Sequence, residues 1–241
     1  MTSQGLDGSS VPETALYESR WVDGAWATPR LVSFSGSFKD YEPTLTADGS
    51  LMVFNSQRPD ADGRTSELND LWMVEWQGTG WGTPRRIDAI STFENEESYG
   101  SLTADGSLVF LAGRPDGSGG TSFDLYWSEF VDGEFRPAAR HPVSTEEWGE
   151  GDPWIAPDGS YLIFTRWDDA VGWSESVDLY ISFQVDGAWT TPAALEALNT
   201  PGADFGPAVS PDGQFLYYKN GSRFLRTELD SVLREHRPRD R

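Results

Sequence analysis

Residues 155–167, IAPDGSYLIFTRW, set apolar side chains on both sides of a Pro-Asp-Gly step. Proline presets φ and the glycine accepts the positive φ that ends such a turn, so the stretch predicts a β-hairpin. The same pattern occurs in LTADGSLMVF from Leu45, LTADGSLVFL from Leu102 and VSPDGQFLYY from Val209. The turn aspartates Asp48, Asp105, Asp158 and Asp212 are 57, 53 and 54 residues apart. A second marker is a strand of alternating side chains, NDLWMVEW, FDLYWSEF and VDLYISFQ, with an earlier copy in ALYESRW. Its leucines, Leu16, Leu71, Leu125 and Leu179, recur at 55, 54 and 54 residues. A third is an aromatic after a short turn: Trp26, Trp81, Phe135 and Trp189, again at 55, 54 and 54. Three markers in one phase predict a structural repeat.

Each repeat lays out as four antiparallel strands. Strand a precedes the Asp-Gly turn, b follows it, c is the DLY or DLW segment, and d starts at the aromatic. One hairpin cannot bury both faces of its sheet, whereas neighbouring units stacked around an axis do so for each other. The predicted fold is all-β, a β-propeller of four-stranded antiparallel blades. A polar leader covers residues 1–13 and the propeller 14–230, with repeats at about 14–40, 41–95, 96–149, 150–203 and 204–230. A basic tail covers 231–241, where DSVLREH allows one or two helical turns. The first repeat enters at strand c, which predicts a five-bladed type with an incomplete first blade. The alternative is a four-bladed ring closed by strands from both termini, which would remove exposed edges.

The connections are unequal. The a–b and c–d turns are tight, while the b–c segments 58–69 and 166–177 and the d–a segment 141–152 are long. In an up-and-down blade the long connections share one face, and long loops on a rigid scaffold commonly carry binding sites.

Composition narrows the partners. The chain has 11 Trp, 13 Phe and 8 Tyr to fill a core, and no cysteine for disulfides, thiolate metal sites or a thiol nucleophile. A net charge of −21 disfavours nucleic acid and anionic membranes, and leaves cations, neutral sugars or basic proteins. Solubility alone is the plain explanation of that charge. No apolar run reaches the ~20 residues of a membrane-spanning helix. The N-terminus as written has neither the basic nor the apolar region of a signal peptide. A monomer is expected, with a protein, small-molecule or sugar partner.

EPTLTADGSLMVF, PWIAPDGSYLIF and GPAVSPDGQFLYY, with the DLY or DLW strands and DGxW turns, resemble the WD40-like PD40 repeat of TolB-type β-propellers. The resemblance covers residues 14–230. It is specific for fold and weak for function, since such blades occur in binding proteins, envelope components and peptidase lids. It implies an envelope or exported location, which this N-terminus does not itself support.

Strand a should line the central channel, so the residues at its start should ring the mouth. These are Asp40, Tyr41 and Glu42; Glu96, Glu97 and Tyr99; Glu150 and Asp152; Asp204 and Phe205. Converging carboxylates raise one another's pKa unless a cation neutralises them, and hard oxygen ligands suit Ca²⁺. Glu42, Glu97, Asp152 and Asp204 are the candidate ligands; solvated, outward-pointing acids are the alternative. Arg58, Arg114, Arg166 and Lys219 follow strand b in successive repeats. They could bind an anionic group or pair with the acid ring. Trp148, Trp154, Trp167 and Trp173 gather in one repeat, as aromatics do on sugar-binding surfaces. Catalysis has little support: His141 and His236 are the two histidines, and no G-x-S-x-G is present. A glycosidase reading on Glu42, Glu97 and Asp152 is the runner-up to a non-catalytic binding scaffold.

Overall fold

The computed structural model describes residues 14–117 and 119–238, together with an antiparallel pair formed by Ser3–Gln4 and Ser10–Val11. The rest of the leader, and the tail from residue 239, lie outside the described residues.

Three sheets carry the order a-b-c-d. The first joins Asp40–Leu45, Leu51–Ser56, Asp70–Glu75 and Arg85–Arg86. The second joins Glu97–Leu102, Leu108–Pro115, Thr121–Ser128 and Ala139–Arg140. In the third, Trp148–Ile155, Tyr161–Asp168 and Asp178–Val185 are followed by Ala193–Ala194 on strand c. A last sheet has three strands, Asp204–Val209, Phe215–Asn220 and Arg223–Glu228. Before the first of these sheets, Tyr17–Glu18 pairs with Arg30–Leu31 as strands c and d. These are the blades of an antiparallel β-propeller, entered at strand c.

Local chemistry makes the turns. In the a–b turns the Asp48, Asp105, Asp158 and Asp212 carboxylates each accept the backbone N–H two residues on, at 3.0–3.1 Å. The following glycines take φ of 69–87°. The hydroxyls of Thr46, Thr103, Ser160 and Ser210 also donate to the four carboxylates, and these bonds first, then the backbone ones, hold them below the ordinary aspartate range. Three c–d turns are Asp-Gly pairs with positive φ at both residues, Asp23-Gly24, Asp132-Gly133 and Asp186-Gly187. That is the type I′ geometry whose twist matches a hairpin.

The core lies between blades. The phase-marking Leu71, Leu125 and Leu179 have no exposed surface, and Leu16 keeps 5%. Leu16 and Val32 pack on Met52, Phe54 and Trp72 of the next blade. Leu51 and Met73 pack with Leu108 and Phe110, Leu125 with Leu162 and Phe164, and Ile163 and Leu179 with Leu216. The C-terminal helix Leu229–His236 adds Leu229 and Val232 to that last cluster. Its apolar face converts the start of the basic tail into part of the final blade.

The c–d aromatics show where the stack stops. Phe135 is buried, and Trp189 is half-buried with its ring 4.8 Å from the His141 imidazole. Trp81 packs on the cluster joining the first two blades. Trp26, by contrast, is 68% exposed, edge-on to Trp21. Among the described residues no strand pairing joins the N-terminal strands to the C-terminal sheet, whose Phe224 is 80% exposed.

Replacing Trp189 by alanine is therefore expected to cost about 3–5 kcal/mol, as for large core truncations. Trp26→Ala should stay within ~0.5 kcal/mol of the parent. Urea unfolding of the two variants measures the difference, and equal losses would contradict the packing described.

Candidate functional site

In every blade that has strand a, its pairing with strand b slips at the same place. The slips fall between Tyr41 and Thr44, Ser98 and Ser101, Gly151 and Trp154, and Phe205 and Ala208. The residue within each slip has positive φ: Glu42 at 51°, Tyr99 at 53°, Asp152 at 42° and Gly206 at 64°. A bulge of this kind re-aims a side chain, and a non-glycine residue held there costs of order 1–3 kcal/mol. It divides the sequence-predicted ring into two tiers.

The inner tier lies eight residues before each turn aspartate: Asp40, Glu97, Glu150 and Asp204, all without exposed surface. Asp40 accepts from Arg58 Nη2 at 2.7 Å, Ser56 Oγ at 2.6 Å and Ser35 Oγ at 2.8 Å. Glu97 accepts from Arg114 at 2.7 Å and the Thr92 N–H at 2.9 Å; Glu150 pairs with Arg166 at 3.1 Å. Asp204 has no arginine and instead accepts from the Thr200 N–H at 2.6 Å and Asn220 Nδ2 at 3.0 Å. Burial pushes the Glu97 carboxyl up to about 7 and Glu150 up to about 8, against the pull of their arginines. Arg58 and Arg166 are themselves buried, Arg58 under Phe54 and Trp72 and Arg166 against Tyr180. Arg58, Arg114 and Arg166 thus hold blades together rather than standing ready for an anion.

This corrects the expected four-carboxylate calcium ring. Glu97 and Asp204 are committed inside their blades, and only Glu42 and Asp152 of that set reach the mouth. Among the described residues no three His, Cys, Asp or Glu side chains converge as a metal site.

The outer tier, six residues before the turn aspartates, is Glu42, Tyr99, Asp152 and Gly206. It borders a cavity of about 1080 Å³ at the face where strand a begins. Glu42 accepts from Asn55 Nδ2 at 2.8 Å, and Asp152 from the Gly206 N–H at 3.2 Å. Glu96 accepts from Asn69 Nδ2 at 2.9 Å, and the Tyr41 hydroxyl donates to Asn69 Oδ1. Burial, reinforced by the charges of Asp152 and Glu96, pushes Glu42 up to about 7. Burial raises Asp152 to about 6, opposed by the Gly206 N–H and Lys219. The same negative surroundings, after burial, raise the Tyr41 and Tyr99 hydroxyls, Tyr41 to about 12. Unlike Arg58, Arg114 and Arg166, Lys219 faces this mouth, 4.7 Å from the Phe205 ring centre.

The walls are aromatic. Trp154, Trp167 and Trp173 line the cavity with Phe123 and Phe205, while Trp148 sits over Arg166 instead. The short helix Trp173–Ser176 in the b–c loop brings the Trp173 indole edge-on to Phe205 at 5.0 Å. Trp167 is seated by a missing side chain, because a Cβ on Gly149 would collide with its indole. In the neighbouring blade the b–c connection shrinks to residues 116–120, as strands Leu108–Pro115 and Thr121–Ser128 extend together, which presents Thr121 and Phe123. Thr165 and Phe123 escaped the sequence reading. The two-tier division escaped it too, although counting back eight and six residues from each turn aspartate separates the tiers. The two histidines take no part: burial holds His141 down to about 4, and His236 Nδ1 meets the Val232 carbonyl.

No protein-family model matches the chain, and no curated protein matches it. Solved structures do. A TolB-like protein from Agrobacterium tumefaciens matches with a TM-score of 0.56 and 18% identity, over 95% of this chain and 70% of that one. An α-L-arabinanase from Penicillium chrysogenum, complexed with arabinobiose, matches at 0.58 and 17%, over 94% and 71%. A family 93 α-L-arabinofuranosidase from Fusarium graminearum, also with arabinobiose, matches at 0.56 and 15%, over 94% and 72%. At these identities the likeness is one of fold. The protein is a β-propeller, similar in architecture both to a TolB-like protein and to sugar-cleaving enzymes.

Two outcomes follow from the tiers. Arg58→Ala leaves Asp40 charged and buried, and is expected to cost about 3–5 kcal/mol in chemical denaturation. The outer tier sets a pH dependence. Glu42 and Asp152 bind protons more tightly folded than unfolded, so the folded chain holds more protons from about pH 7 down to the ordinary carboxylate range. Stability should therefore rise as pH falls through that window. Glu42→Gln with Asp152→Asn should add about 2 kcal/mol at pH 8, allowing for solvent screening, and make the rise shallower, leaving the part that the raised Glu97 and Glu150 supply. An unchanged slope in denaturation at pH 8, 7, 6 and 5 would refute this origin.

Proposed function

We propose that the protein is a non-catalytic β-propeller scaffold of the PD40 type that binds a small ligand at the mouth of its channel, on the long-loop face. The observation that carries the reading is the outer tier. Strained bulges aim Glu42, Tyr99 and Asp152 into one cavity, and Trp154, Trp167 and Trp173 form its walls. The same slips that send one carboxylate into each blade turn these side chains outward, and strained backbone of this kind is common at ligand sites. The cavity is of the size that takes small molecules, with flat apolar walls and a few convergent acceptors. A ligand that fits has an apolar face and several donors, as a mono- or disaccharide has.

A glycosidase is the second reading, favoured by one observation. Burial raises Glu42 to about 7, which suits a general acid, but Asp152 is raised as well, to about 6. At about 6 Asp152 is still mostly ionised near neutral pH, so the pair is compatible with acid and base roles, and cleavage of a glycoside is what separates the two readings.

Tryptophan fluorescence during titration with glucose, galactose, arabinose and arabinobiose tests both. Quenching at millimolar or lower sugar, lost in Gly149→Ala through displacement of Trp167, supports a binding scaffold. Release of arabinose from arabinobiose, abolished by Glu42→Gln, would instead establish the enzyme. No response to any sugar would overturn the carbohydrate class.

A further inference from the structure

The two tiers differ most in how their charges are answered. Inside the blades Asp40, Glu97 and Glu150 each have an arginine within 3.1 Å. At the mouth, Glu42, Glu96, Asp152 and Asp169 border the cavity, and none of the four forms an ion pair among the described residues. Lys219 is the one basic side chain among the described residues that line it. Of the four carboxylates, Glu42, Glu96 and Asp152 are half-buried, with Lys219 the single opposing charge, whereas the blades supply an arginine to three of their four inner carboxylates.

A second observation is independent of that charge. Thr165 lines the cavity, has no exposed surface, and its Oγ1 lacks a hydrogen-bond partner. Asn55 occupies the equivalent position, seven residues after its turn aspartate, and is likewise fully buried. Its Nδ2 serves Glu42 while its Oδ1 has no partner. Buried polar atoms in native proteins are nearly always satisfied, so the Thr165 hydroxyl, orphaned on the cavity wall, points to a partner that comes from outside. Asn55 does not reach the cavity itself and touches it only through Glu42. Phe123, Trp154, Trp167, Trp173 and Phe205 supply ring faces and edges around the cavity.

Resting on the reading of the mouth as a ligand site, we propose that its ligand carries an ammonium group on an apolar body. The cation would sit among Glu42, Asp152 and the Thr165 Oγ1, donating to each, with its apolar part against the indoles. An ammonium has donors only, matching a site with acceptors in excess, and aromatic faces attract organic cations. A neutral alcohol of equal size would leave the carboxylates unanswered.

The probes are 2-phenylethylamine and 2-phenylethanol, which differ by an ammonium in place of a hydroxyl. Calorimetry at pH 7.5 and fixed ionic strength is expected to show at least ten-fold tighter binding of the amine. Glu42→Gln with Asp152→Asn should abolish that preference. Lys219→Gln, which removes the competing charge without touching the carboxylates, should tighten the amine several-fold and leave the alcohol unchanged. Circular dichroism confirms that each variant is folded; if the double variant is not, the Lys219→Gln result decides. Equal affinities for amine and alcohol would overturn the proposal. So would a preference that survives the double variant, because that is attraction to the net negative protein rather than to this site. A response to calcium chloride alone, blocking the amine, would replace the ammonium with a metal ion. Binding of neither probe also overturns the proposal, and the sugar titrations then decide separately whether the mouth binds a ligand at all.

Discussion

The structure depends on a slip of pairing between strands a and b, repeated at one position of every blade that has the pair. Without it, strand a would continue its simple alternation, and residues eight and six positions before the turn aspartate would point the same way. With it, the first carboxylate goes into the blade and the second side chain goes to the channel. Each slip is a local cost, because Glu42, Tyr99 and Asp152 occupy a backbone region that disfavours side chains. The rigid ladder on either side holds it.

That rigidity has two sources with different physics. Blade-to-blade stacking of Leu71, Leu125, Leu179 and the phenylalanines of strand b removes apolar surface from water and makes the repeats mutually dependent. Buried ion pairs then fix register across strands: Arg58 to Asp40, Arg114 to Glu97, Arg166 to Glu150, and on the outer strands Arg86 to Asp70 and Arg140 to Asp124. Such pairs gain little net stability over apolar contacts, but removing one partner is expensive. The last blade replaces the arginine by neutral donors from Thr200 and Asn220, and its sheet has three strands among the described residues. It is braced instead by the C-terminal helix.

The mouth inverts this economy. Among the described residues its carboxylates form no ion pairs, tryptophans line it, and the buried Thr165 Oγ1 on its wall has no hydrogen-bond partner. A surface arranged for stability alone would not combine all three. Loops of unequal length contribute unequally: the b–c loop holding Trp173 reaches over Phe205, whereas the tightened loop of the preceding blade opens the wall at Phe123.

The sequence by itself determined the blades. Turn chemistry at Asp-Gly steps is local, leucine and aromatic spacing reports a repeat, and neither needs a neighbour to be read. The clustering of four tryptophans in one repeat is visible in the chain, and three of them line the cavity. The tertiary structure alone decided which acids face the cavity. Glu97 and Glu42 look alike along the sequence, and a two-residue difference in phase is hidden when the interval between repeats varies by a few residues. Burial beside an arginine or exposure to the channel depends on where a strand slips against its partner. That slip is a property of pairing across some fifteen residues, not of any residue read singly. The same holds for Trp26 and Trp189, equivalent in sequence, of which one is packed because a blade precedes it and the other lies open.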